Sequence, residues 1–132
     1  MMLVETIIAN SFDKNNVSGS FWDKLERQLM QSILLFTVDG FPPEARNIKT
    51  ALNLISMLEF EGESDNEPSD LDLYAEYFAE RFGKDHIAVQ EYKKFRSAVS
   101  DKVAISVAVA TSLRLATFRR DERLARQEKE GE

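Results

Sequence analysis

Apolar residues along this chain recur every three or four positions, the spacing of one face of an α-helix, in one segment after another. The most regular run is residues 21–36, FWDKLERQLMQSILLF. Phe21, Trp22, Leu25, Leu29, Ser32, Ile33 and Phe36 fall on one side of it, and Asp23, Lys24, Glu26, Arg27 and Gln28 cover the other side of its first half. From Ile33 to Phe36 it is apolar all round, as expected of a helix that passes from the surface into the middle of a bundle. The pattern predicts a core helix with Trp22 buried. A capping box of Ser20 with Asp23 opens it; Asp39-Gly40 closes it before Pro42-Pro43.

The remaining segments repeat the theme. Residues 2–10 predict a short helix with Leu3, Thr6, Ile7 and Asn10 on one face, and residues 11–20 are rich in turn formers. Asn47 is a good N-cap for a helix whose stripe is Ile48, Ala51, Leu52, Ile55 and Leu58. Residues 61–69, EGESDNEPS, have little to bury and predict a flexible connection. Ser69 with Asp72 forms a second capping-box pattern, opening a helix with Leu71, Tyr74, Phe78 and Phe82 on one face and Gly83 as its left-handed stop. Asp85 is placed to cap the next helix, whose stripe is Ala88, Tyr92, Phe95 and Val99. Ser100 caps a long helix from 101 to about 118. Its small residues Ala104, Ser106, Ala108, Ala110 and Ser112 allow close helix approach, so it is expected to be a second central helix. Residues 119–132 are charged throughout, an exposed helical extension or a frayed end. No alternating strand and no repeat is present. The predicted fold class is all-α, a compact single-domain bundle of six or seven helices over residues 1–118, followed by a charged C-terminal extension over 119–132.

Composition narrows the chemistry. The 132 residues are enough for a core without covalent staples, and the absence of cysteine removes disulfides, thiolate metal sites and thiol nucleophiles. A net charge of −6 argues against wholesale nucleic-acid binding, though not against a local basic patch. No apolar run approaches the roughly 20 residues of a membrane span. The N-terminal MMLVETIIAN lacks the basic n-region of a signal peptide. Gly83-Lys84-Asp85 is the nearest approach to a Walker A loop and lacks its first glycine and its hydroxyl. His86 is the sole histidine, which leaves no His-pair metal site and favours a surface or capping role. The acids between Glu59 and Asp72 lack the glycine and spacing of a calcium loop. No catalytic, cofactor or metal residue is therefore expected.

Three groups remain as candidates for recognition. Tyr74, Tyr77, Phe78, Phe82, Tyr92 and Phe95 offer either a base-stacking platform or core, and core is the expectation, with Tyr77 the exposed member. Arg114, Arg119, Arg120, Arg123 and Arg126 form the one basic concentration, suited to DNA phosphates or a partner, although Asp121, Glu122 and Glu128 are placed to pair with them. Glu61, Glu63, Asp65, Glu67, Asp70 and Asp72 are the candidate docking surface for a basic partner.

The order of motifs adds a family. VETIIANS, FWDKLERQLMQSILLF, PPEARNI and DHIAVQEYKKFRSAVSDKVAISVAVATSLRLATF together resemble the all-α domain of type IV coupling proteins, the TraG/TraD-like ATPases of conjugation and type IV secretion. Phe21, Trp22, Glu26, Leu29, Tyr92, Phe95, Ala98, Lys102, Ser106, Leu115 and Phe118 stand at corresponding places, over about residues 4–118. The chain departs from the pattern at Lys102-Val103, at Ala116-Thr117 and in its last stretch. The resemblance implies an insertion domain of a RecA-like, hexameric, membrane-anchored DNA-translocating ATPase. It implies a place at the cytoplasmic face of the membrane, without direct membrane contact. It also implies contacts with the relaxase, relaxosome accessory proteins, effector proteins or DNA, with the ATP site left in the parent ATPase domain. On this view the chain is an excised or naturally truncated domain. The alternative from a different class is a free-standing helical adaptor or regulator that binds a protein partner.

Overall fold

The computed structural model describes residues 4–11, 21–59 and 68–130. They form an all-α bundle of six helices: α1 Val4–Ser11, α2 Phe21–Gly40, α3 Ile48–Glu59, α4 Asp70–Phe82, α5 Ile87–Ala98 and α6 Asp101–Glu130. A short 3-10 turn, Pro43–Ala45, lies between α2 and α3, where Pro42 and Pro43 forbid continuation of α2. Among the described residues there is no strand, and no helix is long and apolar enough to cross a membrane.

The bundle is organised as two long pairings, α2 along α5 and α3 along α6, joined where α2 meets α6; α4 closes against α3 and α5, and α1 against α2 and α6. Helix α2 is the centre, with Leu29, Met30, Ile33, Leu34 and Phe36 removed from solvent. Each such side chain contributes about 1.5–3 kcal/mol of burial free energy. Three buried hydroxyls share this core. Ser32, Thr37 and Thr111 each donate to a carbonyl one turn back in their own helix at 2.8 Å, which satisfies the group and keeps the helix intact.

The helix starts follow local chemistry. The Ser69–Asp72 capping box is fully formed, with reciprocal bonds of 3.0 Å. Asn47 accepts from the Thr50 N–H at 3.0 Å, and Ser100 from the Val103 N–H at 3.3 Å. Gly83 ends α4 with φ +105°, a conformation that a Cβ disfavours. The cap of α5 is His86, not Asp85: its Nδ1 accepts the Ala88 N–H at 3.0 Å. The Ser20 cap and the 61–67 connection lie outside the described residues.

Several faces differ from the sequence pattern. In α1 the inward residues are Val4, Ile7 and Ile8, while Thr6 faces out. Trp22 is 38% exposed and Phe21 more so, both in the first turn of α2, whereas Leu25 and Glu26 one turn later are buried. Helix α6 passes residue 118 without a break and ends at Glu130, so the charged extension continues the same helix. Its inner face is Ala104, Val107, Ala108, Thr111 and Leu115, and its other side is open, so it is central on one side only.

Candidate interaction surfaces

Glu61, Glu63, Asp65 and Glu67 lie outside the described residues. Asp70 is exposed on the first turn of α4. Asp72 is committed elsewhere, as the hub of a network joining three helices. Arg96 of α5 grips it in bidentate fashion at 3.0 and 3.1 Å, Tyr92 donates its hydroxyl at 2.5 Å, and the Ser69 N–H donates at 3.0 Å. The same guanidinium reaches Asp101 at the start of α6, also at 3.0 Å. Burial alone raises the carboxyl's pKa, but the bonds from Arg96, Tyr92 and Ser69 and the charge of Arg96 outweigh it and hold Asp72 below its usual range. Burial first, then the bond to the Asp72 carboxylate, pushes the Tyr92 hydroxyl well up. Burial lowers the Arg96 guanidinium, and its bonds to Asp72 and Asp101 more than restore it. The network ties the bundle together and leaves Asp72 no room for a partner. Arg96 was not singled out by sequence; the only signal was its place one turn past Tyr92 on the edge of the α5 stripe.

The basic strip divides in the same way. Arg114 turns into the bundle: its Nε donates to Glu26 and its Nη2 to Asp23 at 3.4 Å. Glu26, only 3% exposed, thereby has a charge-assisted partner, which a carboxylate removed from water requires. Arg119 is half-buried and the next residue, Arg120, is exposed. Arg123 and Arg126 lie on the continuing helix, and their side chains are outside the described set. The five arginines therefore do not form one surface, because Arg114 belongs to the interior contacts of α2 and α6.

Two outward faces carry apolar groups instead. On α6, Val109 and the 64% exposed Leu113 face solvent one turn apart, beside the exposed Ser106, Ala116 and Thr117. Between residues 103 and 118 the only charged side chain is Arg114, and it points inward. A helix apolar on both sides is ordinarily covered on both. That lack of charge is visible in the sequence, where it reads equally as the mark of a central helix.

The second face lies where the end of α2 meets α4 and the start of α5. Phe36 and Phe78 pack edge to face at 4.9 Å inside, and rings continue outward from them: Tyr74 against Phe41 and Tyr77, and Phe82 against Phe78 at 4.5 Å. Backbone approach is close here, since a Cβ at Gly40 would meet the Tyr74 hydroxyl at 2.6 Å. Burial, with a smaller push from Tyr77, raises that hydroxyl to about 12, so it remains a protonated donor. Arg46 donates from Nε to the Phe41 carbonyl at 2.8 Å and fixes the turn after α2. His86 packs edge-on against Phe78, and its Nε2 lies 2.8 Å from Asp39. Phe78, Tyr92 and Phe95 are core and Tyr77 is exposed, as the pattern predicts; Phe82 is not core but 41% exposed. Leu73 was missed, although it stands one turn before Tyr77 on the side of α4 opposite Leu71, Ala75 and Phe78.

Among the described residues no group of three or more His, Asp or Glu side chains is arranged to hold a metal ion. No family model, no curated protein and no solved structure matches this chain.

Proposed function

We propose that this chain is a non-catalytic recognition domain, and that it is the all-α domain of a type IV coupling protein of conjugation or type IV secretion. The observation that carries the reading is how its groups are apportioned. The charged residues Glu26, Asp72, Arg96 and Arg114 tie helices to one another, while Val109, Leu113, Leu73 and Tyr77 face outward on rigid helices. Exposed apolar and aromatic residues on a fixed scaffold suit docking. The all-α fold and the ordered motif support the family reading, with Leu29, Tyr92, Phe95 and Leu115 of that motif all in the core.

In this role the uncharged face of α6 packs on the ATPase body to which such a domain is joined, since permanent interfaces are the more apolar kind. The exposed rims meet cargo: relaxase, relaxosome accessory or effector proteins, and DNA at Arg119 and Arg120. The parent machine supplies nucleotide hydrolysis at the cytoplasmic face of the membrane. Co-purification of the domain with the relaxase and accessory proteins of its own genetic element tests the reading, alongside a DNA titration at two salt concentrations. Co-elution or salt-sensitive DNA binding is expected; loss of both rejects it. The departures at Val103 and Thr117 count against the C-terminal edge of the family pattern, and the second reading is a free-standing helical adaptor or regulator that binds a protein partner. A reading frame with a P-loop upstream and an acidic Walker B strand downstream supports the first, and a natural stop after Glu132 supports the second.

A further inference from the structure

We infer that the aromatic end of the bundle, between Tyr77 and Phe82 on α4, binds an arginine-bearing basic segment of a partner protein. The inference concerns this face alone and holds whichever larger protein the chain serves. Tyr77 and Phe82 are 55% and 41% exposed, so neither ring is needed to fill the core. Between them the structure already holds a guanidinium. The Cζ of Arg81 lies 5.3 Å from the Phe82 ring centroid, and its Nη1 donates to the Tyr77 hydroxyl at 3.4 Å. One ring supplies a π face and the other an oxygen acceptor, a combination that matches a planar, weakly hydrated cation. Arg81 holds the place loosely. Its bond to Tyr77 is at the long limit and solvent-exposed, so an incoming guanidinium exchanges with it at little cost.

Charge selects the sign of the occupant. Along its whole length α4 carries four acids, Asp70, Asp72, Glu76 and Glu80, and one base, the Arg81 already seated between the two rings. Asp72 is occupied by Arg96, but Glu76 and Glu80 are exposed one turn apart, in the row beside Leu73 and Tyr77. A partner strand or helix laid along α4 thus meets apolar contact from Leu73 and Tyr77 on one line and carboxylates on the next. A net charge of −6 favours approach of a basic segment over long range. The carboxylate row disfavours a nucleic-acid backbone on this face, and a second copy would set like charges against each other.

The test is a titration of the full 132-residue chain with two short synthetic peptides, one carrying spaced arginines and the other lysines at the same positions, followed by amide chemical shifts. The expected result is shifts at residues 73–86, with the arginine peptide about fivefold tighter than the lysine peptide. Tyr77→Ala should weaken the arginine peptide about fivefold, and Glu76→Gln with Glu80→Gln should weaken both peptides and flatten the salt dependence. All these side chains are exposed, so thermal stability serves as a control and should be unchanged. Equal affinity for the two peptides with no effect of Tyr77→Ala overturns the inference. Shifts confined to other helices overturn it too, as do competition by duplex DNA for residues 73–86 and concentration-dependent shifts there without peptide.

Discussion

At the scale of single residues, the important assignments are those of Asp72 and Arg114, each a polar group offered by the sequence for docking and used by the fold for cohesion. The pH dependence follows from Asp72. A carboxylate held below its unfolded value contributes stability that is fully present above that unfolded value, near 3.8, and is lost as pH falls through the folded one. Asp72→Asn should therefore destabilise by about 2 kcal/mol at pH 7, the scale of a charge-assisted bond lost at a half-buried site. The gap between the urea midpoints of wild type and variant should close as the pH is taken below the carboxylate range. A gap that stays constant to pH 2.5 would show that the carboxylate's charge is not what Arg96 and Tyr92 bind. Arg114→Ala strands the carboxylate of Glu26, and Arg114→Ala with Glu26→Ala removes both charges. The single change should cost about 2–3 kcal/mol, less than a fully buried pair because the Arg114 side chain is one-third exposed, and the double change should recover part of that loss. Denaturant unfolding of the three proteins decides it.

At the scale of elements, the helix starts were readable because capping is local: a serine and an aspartate three residues apart carry the instruction by themselves. The exception is the turn before α5, where His86 displaces Asp85 as the cap because Asp39, at the far end of α2, is there to hold its ring. That contact spans 47 positions and leaves no local trace. It also fixes which ring nitrogen donates. Nδ1 accepts the Ala88 N–H and so is bare, while Nε2 carries the hydrogen toward Asp39. Nitrogen chemical shifts should report the Nε2–H form, and His86→Ala should cost about 1 kcal/mol for the lost cap. A Nδ1–H ring would refute the cap. The inner faces of α3 and α5 were likewise legible from their stripes. The outer face of α6 was not, since periodicity marks where apolar residues lie and says nothing about whether a neighbour covers them. Trp22 fails for a related reason: it lies on the same side of α2 as the buried Leu25 and Leu29, and sharing that side does not guarantee cover. The pairs Arg96–Asp72 and Arg114–Glu26, 24 and 88 positions apart, became visible only once the helices were packed.

At the scale of the whole molecule, charge and apolar surface are sorted by region. Acids line α4 up to Arg81, the outward face of α6 around Val109 and Leu113 is uncharged, and Arg119 and Arg120 follow Phe118, which still packs on the core. The net charge of −6 repels a polyanion at long range, so DNA contact in the proposed role depends on a few arginines acting locally. Phosphate contacts release counterions, and each one lost lowers the slope of log affinity against log salt by roughly 0.9 for duplex DNA. Arg119→Glu with Arg120→Glu should therefore weaken duplex binding and flatten its salt dependence by up to about two contacts' worth. Leu113→Gln, on the adjoining uncharged face, should leave that slope unchanged and alter folding stability by less than about 0.5 kcal/mol. Fluorescence titrations at two salt concentrations distinguish the cases. If charge reversal at both arginines leaves the slope intact, Arg119 and Arg120 are not a phosphate site, and the recognition role rests on protein contacts alone.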